Sequence, residues 1–599
     1  MSSPSNRKDQ PRTGADGIWV LIAAVCFGLA IGFVNLAVRL GHLIDGTAGQ
    51  DPSSPFELFF NTFKGKSHWT MTVTIVAAVL AVVLSVLAVF VLVSRSRRKA
   101  RRSRVDTQAA YMGRGRDVEG IRRKSVAATA TRLGVAGSPG VPIGAALGTG
   151  ETLLGSWEDM HLDIWGPRTG KTTSRAVPAV LDAPGAVVCT SNKRDLLDAT
   201  RLIRERHGQV WVFDPQQVAL EPADWWWNPL TYVTDDTKAR GLAGHFIAGS
   251  RSADAKSDAY FDGDAQNLLA SLILAAALGR RPITEVYRWL IRPNDQSPVE
   301  ILRDSPYDLV ADQLAGIMAY PDEQRGGVYG TAKQMATCLT SPAVAAWVTS
   351  PAQRGQLDER PQFDPHAFVR DGSTLYALSM EGEGTTGPLT TALTVAVTEA
   401  ATDLATRMAG GRLATPMLCV LDEAANVCRW RRLPDLYSHF GSRGIIIMTI
   451  LQSWSQGVEV WGASGMQKLW SSANVKVYGG GVSEEDFLDK LSKLIGDYDK
   501  LTSSISAGKG YRSTSRQLTR ERILDVEQLA ALPKGRAVVL SSGNRAAMIR
   551  TKPWMNGPHA HDVRASITLN DPNGAATIAD AFTQLRQVDQ QEGNTDEHH

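Results

Sequence analysis

The sequence predicts an α/β fold: a largely parallel sheet with helices on both faces, preceded by two apolar segments near the N-terminus. Three observations carry this. Short apolar runs recur at 161–165, 185–190, 209–213, 373–380, 417–421 and 444–451, with helical periodicity between them, which is the rhythm of alternating strand and helix. The runs are rich in Val, Ile and Leu on both alternating faces, as strands buried on two sides are. A glycine-containing turn follows the first run directly, at Gly166–Gly170, where a strand hands over to a helix start.

The elements divide the 599 residues as follows. Residues 1–17 are a short polar tail. Ile18–Val38 and Trp69–Val93 carry no charged residue, and at ~1.5 Å per residue each crosses a hydrocarbon layer of ~30 Å. Both are expected as transmembrane helices, with 39–68 as an extracytoplasmic loop. Arg95, Arg97, Arg98, Lys99, Arg101, Arg102 and Arg104 crowd the exit of the second span, so that side is cytoplasmic and the bulk of the chain lies there. Residues 94–150 are basic, then rich in Gly, Ala and Thr, and are expected as a linker. The core domain is expected over 151–565, with a helical insert at about 250–365, where strand signals are sparse. The tail 566–599, polar and acidic at its end, is expected to be disordered despite an amphipathic patch at Ala575–Leu585.

Composition excludes several classes. The formal net charge is +3, and the juxtamembrane arginines account for all of it, so overall charge makes no case for nucleic acid. Five cysteines, Cys26, Cys189, Cys338, Cys419 and Cys428, show no CxxC spacing, and neither HExxH nor GxSxG occurs, which removes the common zinc, disulfide and serine-hydrolase readings.

The chemistry-bearing segment is Gly166-Pro167-Arg168-Thr169-Gly170-Lys171-Thr172-Thr173. Backbone N–H groups of such a turn point at phosphate oxygens, and a lysine supplies a mobile positive charge. Lys171 is the expected phosphate ligand and Thr172 the expected Mg²⁺ ligand. The usual first glycine of the motif is displaced: Trp165 occupies its position and Gly166 comes one step late. The run Met417–Leu421 ends in Asp422 and Glu423; Asp422 is the second expected Mg²⁺ ligand and Glu423 the group that orients the attacking water. Together they imply an ATP-driven machine, with ATP and Mg²⁺ as cofactors. The alternative is a loop and a buried strand whose acids cap the next helix.

From these motifs onward, the chain resembles the type IV coupling proteins, the TraG/TraD-like ATPases of conjugative DNA transfer. The resemblance rests on TSNKRDLLDAT (190–200), on VFDPQQV followed by WWWNPL, on YFDGDAQNLLASLILAAAL (260–278), and above all on LDEAANVCRWRRLPDLYSHFGSRGIIIMTILQSWSQGVEVWG (421–462), continued by SSANVKVYGGGVSEEDFLDKLSKLIGD and LDVEQLAALPKGRAVVLSSG (524–543). It implies a RecA-like P-loop NTPase fold with an all-helical insert. It also implies an inner-membrane protein acting as a homohexamer, with DNA, a relaxase and secretion-channel components as partners. Gln452, at a strand end, is the implied γ-phosphate sensor. Two basic stretches are candidate DNA contacts: Lys509, Arg512, Arg516, Arg520 and Arg522, and Arg429, Arg431 and Arg432 around Trp430. A solvated charged loop explains either equally well. Arg443, in the GSRG segment, suits a turn-holding role at least as well as contact with phosphate. The triplet Trp225–Trp227 suits core packing better than base stacking. The same features suit a family member that exports protein effectors, and the displaced glycine leaves open a membrane scaffold that binds ATP poorly.

Overall fold

In a computed structural model, residues 15–47, 52, 54–66, 69–100, 104–250, 259–382, 385–508 and 511–591 are described. The described residues form thirteen strands: β1 (Val141–Ala146), β2 (Thr152–Gly155), β3 (His161–Ile164), β4 (Val187–Ser191), β5 (Val210–Phe213), β6 (Thr374–Leu378), β7 (Met417–Leu421), β8 (Ile445–Leu451), β9 (Val475–Tyr478), β10 (Asp497–Gly508), β11 (Tyr511–Arg522), β12 (Arg536–Ser541) and β13 (Ala547–Arg550). Eleven form one sheet in the order β2-β1-β13-β12-β9-β3-β8-β7-β4-β6-β5. From β9 to β5 all neighbours are parallel; β2, β1, β13 and β12 add an antiparallel wing.

Alternation along the parallel strands explains the two cores. Leu162, Ile164, Val188, Cys419, Leu421, Ile445 and Ile447 pack on one face of the sheet, and Val187, Cys189, Leu418, Val420, Ile446, Met448 and Ile450 on the other. The period of two sends neighbouring side chains to opposite faces, so apolar residues at every position mean helices on both sides. One face carries the helical segment from Asp236–Gly249 through Pro365–Arg370, whose helix Ala259–Leu278 is buried along most of its described length. Trp225, Trp226 and Trp227 are buried, in the core as expected.

The linker and tail expectations are corrected. Residues 104–150 are folded into the sheet domain: Val141–Ala146 is a strand of the main sheet, and Arg536 of β12 donates to both carboxylate oxygens of Asp106 at 2.8 and 3.0 Å in a buried pair. The tail forms the helices Ala560–Asn570 and Gly574–Gln591. Ile578, Ala581, Phe582 and Leu585 of the second pack against the sheet's helical layer, which gives that amphipathic patch its partner. Residues 592–599 lie outside the described residues.

The N-terminal unit holds the helices Ala15–Ile44 and Met71–Ala100. Among the described residues Phe27–Ile44 is long and apolar enough to cross a membrane, and Met71–Leu87 is a shorter apolar helical stretch. The expected loop 39–68 is corrected: the first helix runs on to Ile44, and a further helix, Pro55–Phe63, packs back along it. The Asn35 amide donates to the Pro55 carbonyl at 2.6 Å, and Phe59 meets Phe27 edge-on with ring centres 6.0 Å apart. β10 and β11 pair with each other in a separate ribbon.

Candidate functional site

Strand order sets the site. β8 lies between β3 and β7, so the turn after β3, the acidic pair after β7 and Gln452 after β8 emerge side by side at the carboxyl edge of the sheet. Ligands of open α/β sheets gather at that edge.

The turn after β3 is held by neighbouring backbone. Trp165 N–H donates to the Leu451 carbonyl at 2.9 Å and Gly166 N–H to the Gly480 carbonyl at 2.9 Å. This resolves the displaced glycine. Trp165 is fully buried among Val475, Val477, Ala537 and Ile549, and its ring lies where a Cβ on Gly479 would sit, 2.0 Å away. A Cβ on Gly166 would come within 2.1 Å of the Gly481 carbonyl oxygen. The close backbone approach is therefore made by Gly166 against the run Gly479–Gly481, and the triple glycine was the signal in the sequence that pointed to it.

Beyond Gly166 the turn exposes Pro167 and Arg168. The Thr169 hydroxyl donates to the Gly166 carbonyl. Gly170, at φ 92°, turns the chain into the helix in a region that disfavours any other residue. Lys171 then heads the helix; Thr172–Ala176 winds as a π-helical turn before Val177–Asp182, and the Thr173 hydroxyl donates to the Gly170 carbonyl at 3.2 Å. The helix is fastened from behind. Arg175 is fully buried, donates to both oxygens of Asp163 at 2.7 and 3.3 Å, and also donates to the Pro142 carbonyl. Burial, reinforced by the Arg175 charge, holds His161 well below the usual imidazole range, so it is neutral.

Lys171, Asp422, Glu423 and Gln452 meet. Lys171 Nζ lies 3.1 Å from Asp422 Oδ1 and contacts Glu423 Oε1. The Gln452 amide donates to both oxygens of Glu423 at 2.7 Å each. Both acids are 3% exposed. Burial, with smaller help from Asp195 and Glu423 and against the opposing pull of Lys171, pushes the Asp422 carboxyl up to about 6. Burial works to lower Lys171, but the two carboxylates outweigh it and its affinity for the proton rises. Glu423 sits at φ 56° and ψ 42°, a left-handed conformation that costs a non-glycine residue about 1–3 kcal/mol and that such sites tolerate for function.

The arrangement fits a magnesium–phosphate ligand. Asp422 Oδ1 is buried and, apart from its 3.1 Å contact with Lys171 Nζ, has no hydrogen-bond partner, which leaves it lone-pair capacity for a metal's water shell. Mg²⁺ is a cation held by one or two protein groups together with waters and phosphate oxygens. Thr172 is one residue beyond Lys171 at the same helix start.

Three further residues join the site that the motifs did not single out. Asn426 donates to Glu423 Oε2 at 3.4 Å and to Glu381 Oε1 at 3.0 Å, and Asn192 also donates to Glu381. Both asparagines follow parallel strands in the quoted segments TSNK and DEAAN, but their spacing alone does not select them.

The basic stretches are not part of this cluster. Arg429 pairs with Glu459 at 2.8 Å and Trp430 beside it is buried, while Arg431 and Arg432 are exposed. Arg520 pairs with Asp497 at 3.0 Å, and Arg522 approaches Asp489 at 3.6 Å and Asp497 at 3.8 Å. Arg520 and Arg522 thus lie on strand β11 rather than in a loop. Lys509 lies outside the described residues, as do the side chains of Arg512 and Arg516 on β11. Arg443 donates to the Thr406 hydroxyl at 2.8 Å and holds its turn.

Residues 416–534, the stretch that holds the acidic pair, Gln452 and the triple glycine, match the family model described as the TraM recognition site of TraD and TraG. Over this stretch the chain is similar to the type IV coupling proteins. It is 24% identical over 182 residues to the type IV secretion system-coupling protein VirD4 of Bartonella quintana; this match covers 27% of the chain and spans 28% of the length of VirD4. Among solved structures, the conjugative coupling protein TrwB in its sulphate complex aligns at 16% identity over 66% of this chain and 86% of TrwB, with a TM-score of 0.49. The TrwB complex with the ATP analogue ADPNP gives the same coverage at a TM-score of 0.48. VirB4 of Thermoanaerobacter pseudethanolicus aligns at 12% identity over 70% of this chain and 98% of its own, with a TM-score of 0.38.

Proposed function

We propose that this protein is a type IV coupling protein, a membrane-anchored ATPase that brings relaxase-bound DNA to a type IV secretion channel and drives it across during conjugation. The observation that carries the proposal is the meeting of Lys171, Asp422, Glu423 and Gln452 at one sheet edge. Lys171 is the group that moves: it leaves Asp422 and Glu423 for the β and γ phosphates when nucleotide arrives. That release frees Glu423 to accept a hydrogen bond from the attacking water, while Gln452, already on Glu423, stays within reach of the γ-phosphate and registers whether it is present. The amides of Gly166–Thr172 cradle the remaining oxygens. Thr172 and Asp422 would hold Mg²⁺, which would supply neutralising positive charge to the phosphates. Rate enhancement comes from positioning and fixed charge, without a covalent intermediate.

The two apolar N-terminal helices are the membrane spans, the segment between them lies outside the cytoplasm, the bulk of the chain faces the cytoplasm, and the protein acts as a homohexameric ring. Contacts to DNA are made through phosphate, with Arg431 and Arg432 and the basic residues of β11 as the candidate ligands. The test is ATP turnover by the full-length protein in lipid nanodiscs with and without single-stranded DNA. Stimulated turnover that Lys171→Ala abolishes supports the proposal; turnover insensitive to that substitution refutes it.

A further inference from the structure

Behind the helix that Lys171 heads lies a cavity of about 460 Å³. It is bounded by β1, β2, the Val177–Asp182 helix and the chain after β13. Its size is in the range of small-molecule sites, about 300–1,000 Å³, which are mostly apolar with a few convergent polar groups. Ile143, Leu154, Leu181 and Trp554 supply the apolar wall, and Arg123 and Lys552 stand over it. Among the described residues neither cation makes a direct ion pair, although the Arg123 charge reaches the Asp182 carboxylate; Lys552 Nζ donates to the Thr152 hydroxyl at 2.6 Å. Burial and the nearby Arg123 charge both disfavour the proton on Lys552, a tension that a bound anion relieves. Asp182 also lines the cavity, accepts from the Ser138 hydroxyl at 3.4 Å and lies 3.8 Å from His559 Nε2.

We propose that this cavity binds a small organic phosphate with a flat, largely apolar body, its phosphate between Arg123 and Lys552 and its body against Trp554, Leu154 and Leu181. Paired cations of this kind suit phosphate oxygens, the guanidinium by its fork and the ammonium as a point charge. The site is separate from the Lys171 turn, yet it shares the helix: Ser174, Pro178, Leu181 and Asp182 line the cavity, and Arg175, between them, donates to the carbonyl of Pro142, itself a wall residue. An occupant therefore presses on the element that carries the candidate nucleotide ligands.

The test is calorimetric titration of 1-naphthyl phosphate into the full-length protein in lipid nanodiscs, with empty nanodiscs subtracted. Saturable binding is expected, weakened at least about tenfold in the Arg123→Ala, Lys552→Ala double variant, since two charge-assisted bonds are lost. Both side chains are exposed, so the variant's melting temperature should match the parent's. Binding should persist in Lys171→Ala and should be absent for neutral 1-naphthol. The proposal is overturned if no binding occurs, if the double variant or 1-naphthol binds as well as the parent pair, or if Lys171→Ala removes the binding and so assigns it to the nucleotide turn.

Discussion

Asp422→Asn should stabilise the nucleotide-free protein while abolishing turnover, and the size of the effect follows from the site. The Asp422 carboxyl sits at about 6 against an ordinary 3.8. Between those values the folded state holds a proton that the unfolded state has lost, so stability falls as pH rises through the window and stays low above it. At pH 7.5 the ionised carboxylate costs about 3 kcal/mol, at ~1.36 kcal/mol per pKa unit. Asparagine has the shape of the protonated acid and avoids that penalty. The variant should therefore melt roughly 3–6 °C above the parent at pH 7.5, with the stability advantage falling to about half by pH 5. Differential scanning fluorimetry at the two pH values reads it. No stabilisation at pH 7.5, or the same stabilisation at pH 5, would refute the claim that the site holds a buried, under-compensated carboxylate poised for a metal.

Glu423→Gln should keep ATP binding and lower phosphate release by at least about 100-fold, measured by nucleotide fluorescence and a coupled phosphate assay. Gly479→Val should unfold or strongly destabilise the domain, because even a Cβ there meets the Trp165 ring at 2.0 Å; its melting temperature reads this, and Trp165→Gly in the same chain should restore part of the loss. Arg175→Ala should cost about 3–5 kcal/mol by leaving Asp163 buried and unpaired, whereas Arg175→Met with Asp163→Leu should recover most of it, both read by thermal melts.

The part of the fold legible in the sequence is the part where burial on both faces imposes a continuous apolar run. β3, β4, β5, β6, β7 and β8 are such strands, and their residues alone announced them. β1 was concealed: VPIGAA carries Pro142 and Gly144, the marks of an edge or a bulge, and the register of β1 against β2 shifts between those two residues. The β10–β11 ribbon alternates Ser, Thr and Arg with few apolar residues, so no buried face marked it as strand. The last helix, Gly574–Gln591, showed an amphipathic patch, but composition outweighed it because the partner surface, including Trp554, is visible only in the fold.

At the site, Lys171, Asp422 and Glu423 were legible because phosphate and metal chemistry restricts which residue types sit after a strand. Gln452 became legible only through the resemblance. Asn192, Asn426 and Glu381 were not, since an amide that orients a carboxylate leaves no spacing rule. The structure also accounts for the anomaly at Trp165: the missing small residue is supplied across the turn by Gly479, far away in the sequence and adjacent in space.

The most direct test of the account is ATP hydrolysis by the full-length protein in nanodiscs, alone, with single-stranded DNA, and as the Lys171→Ala variant. The account predicts turnover that DNA accelerates and the variant lacks. Absence of turnover by the unmodified protein with DNA present would contradict it.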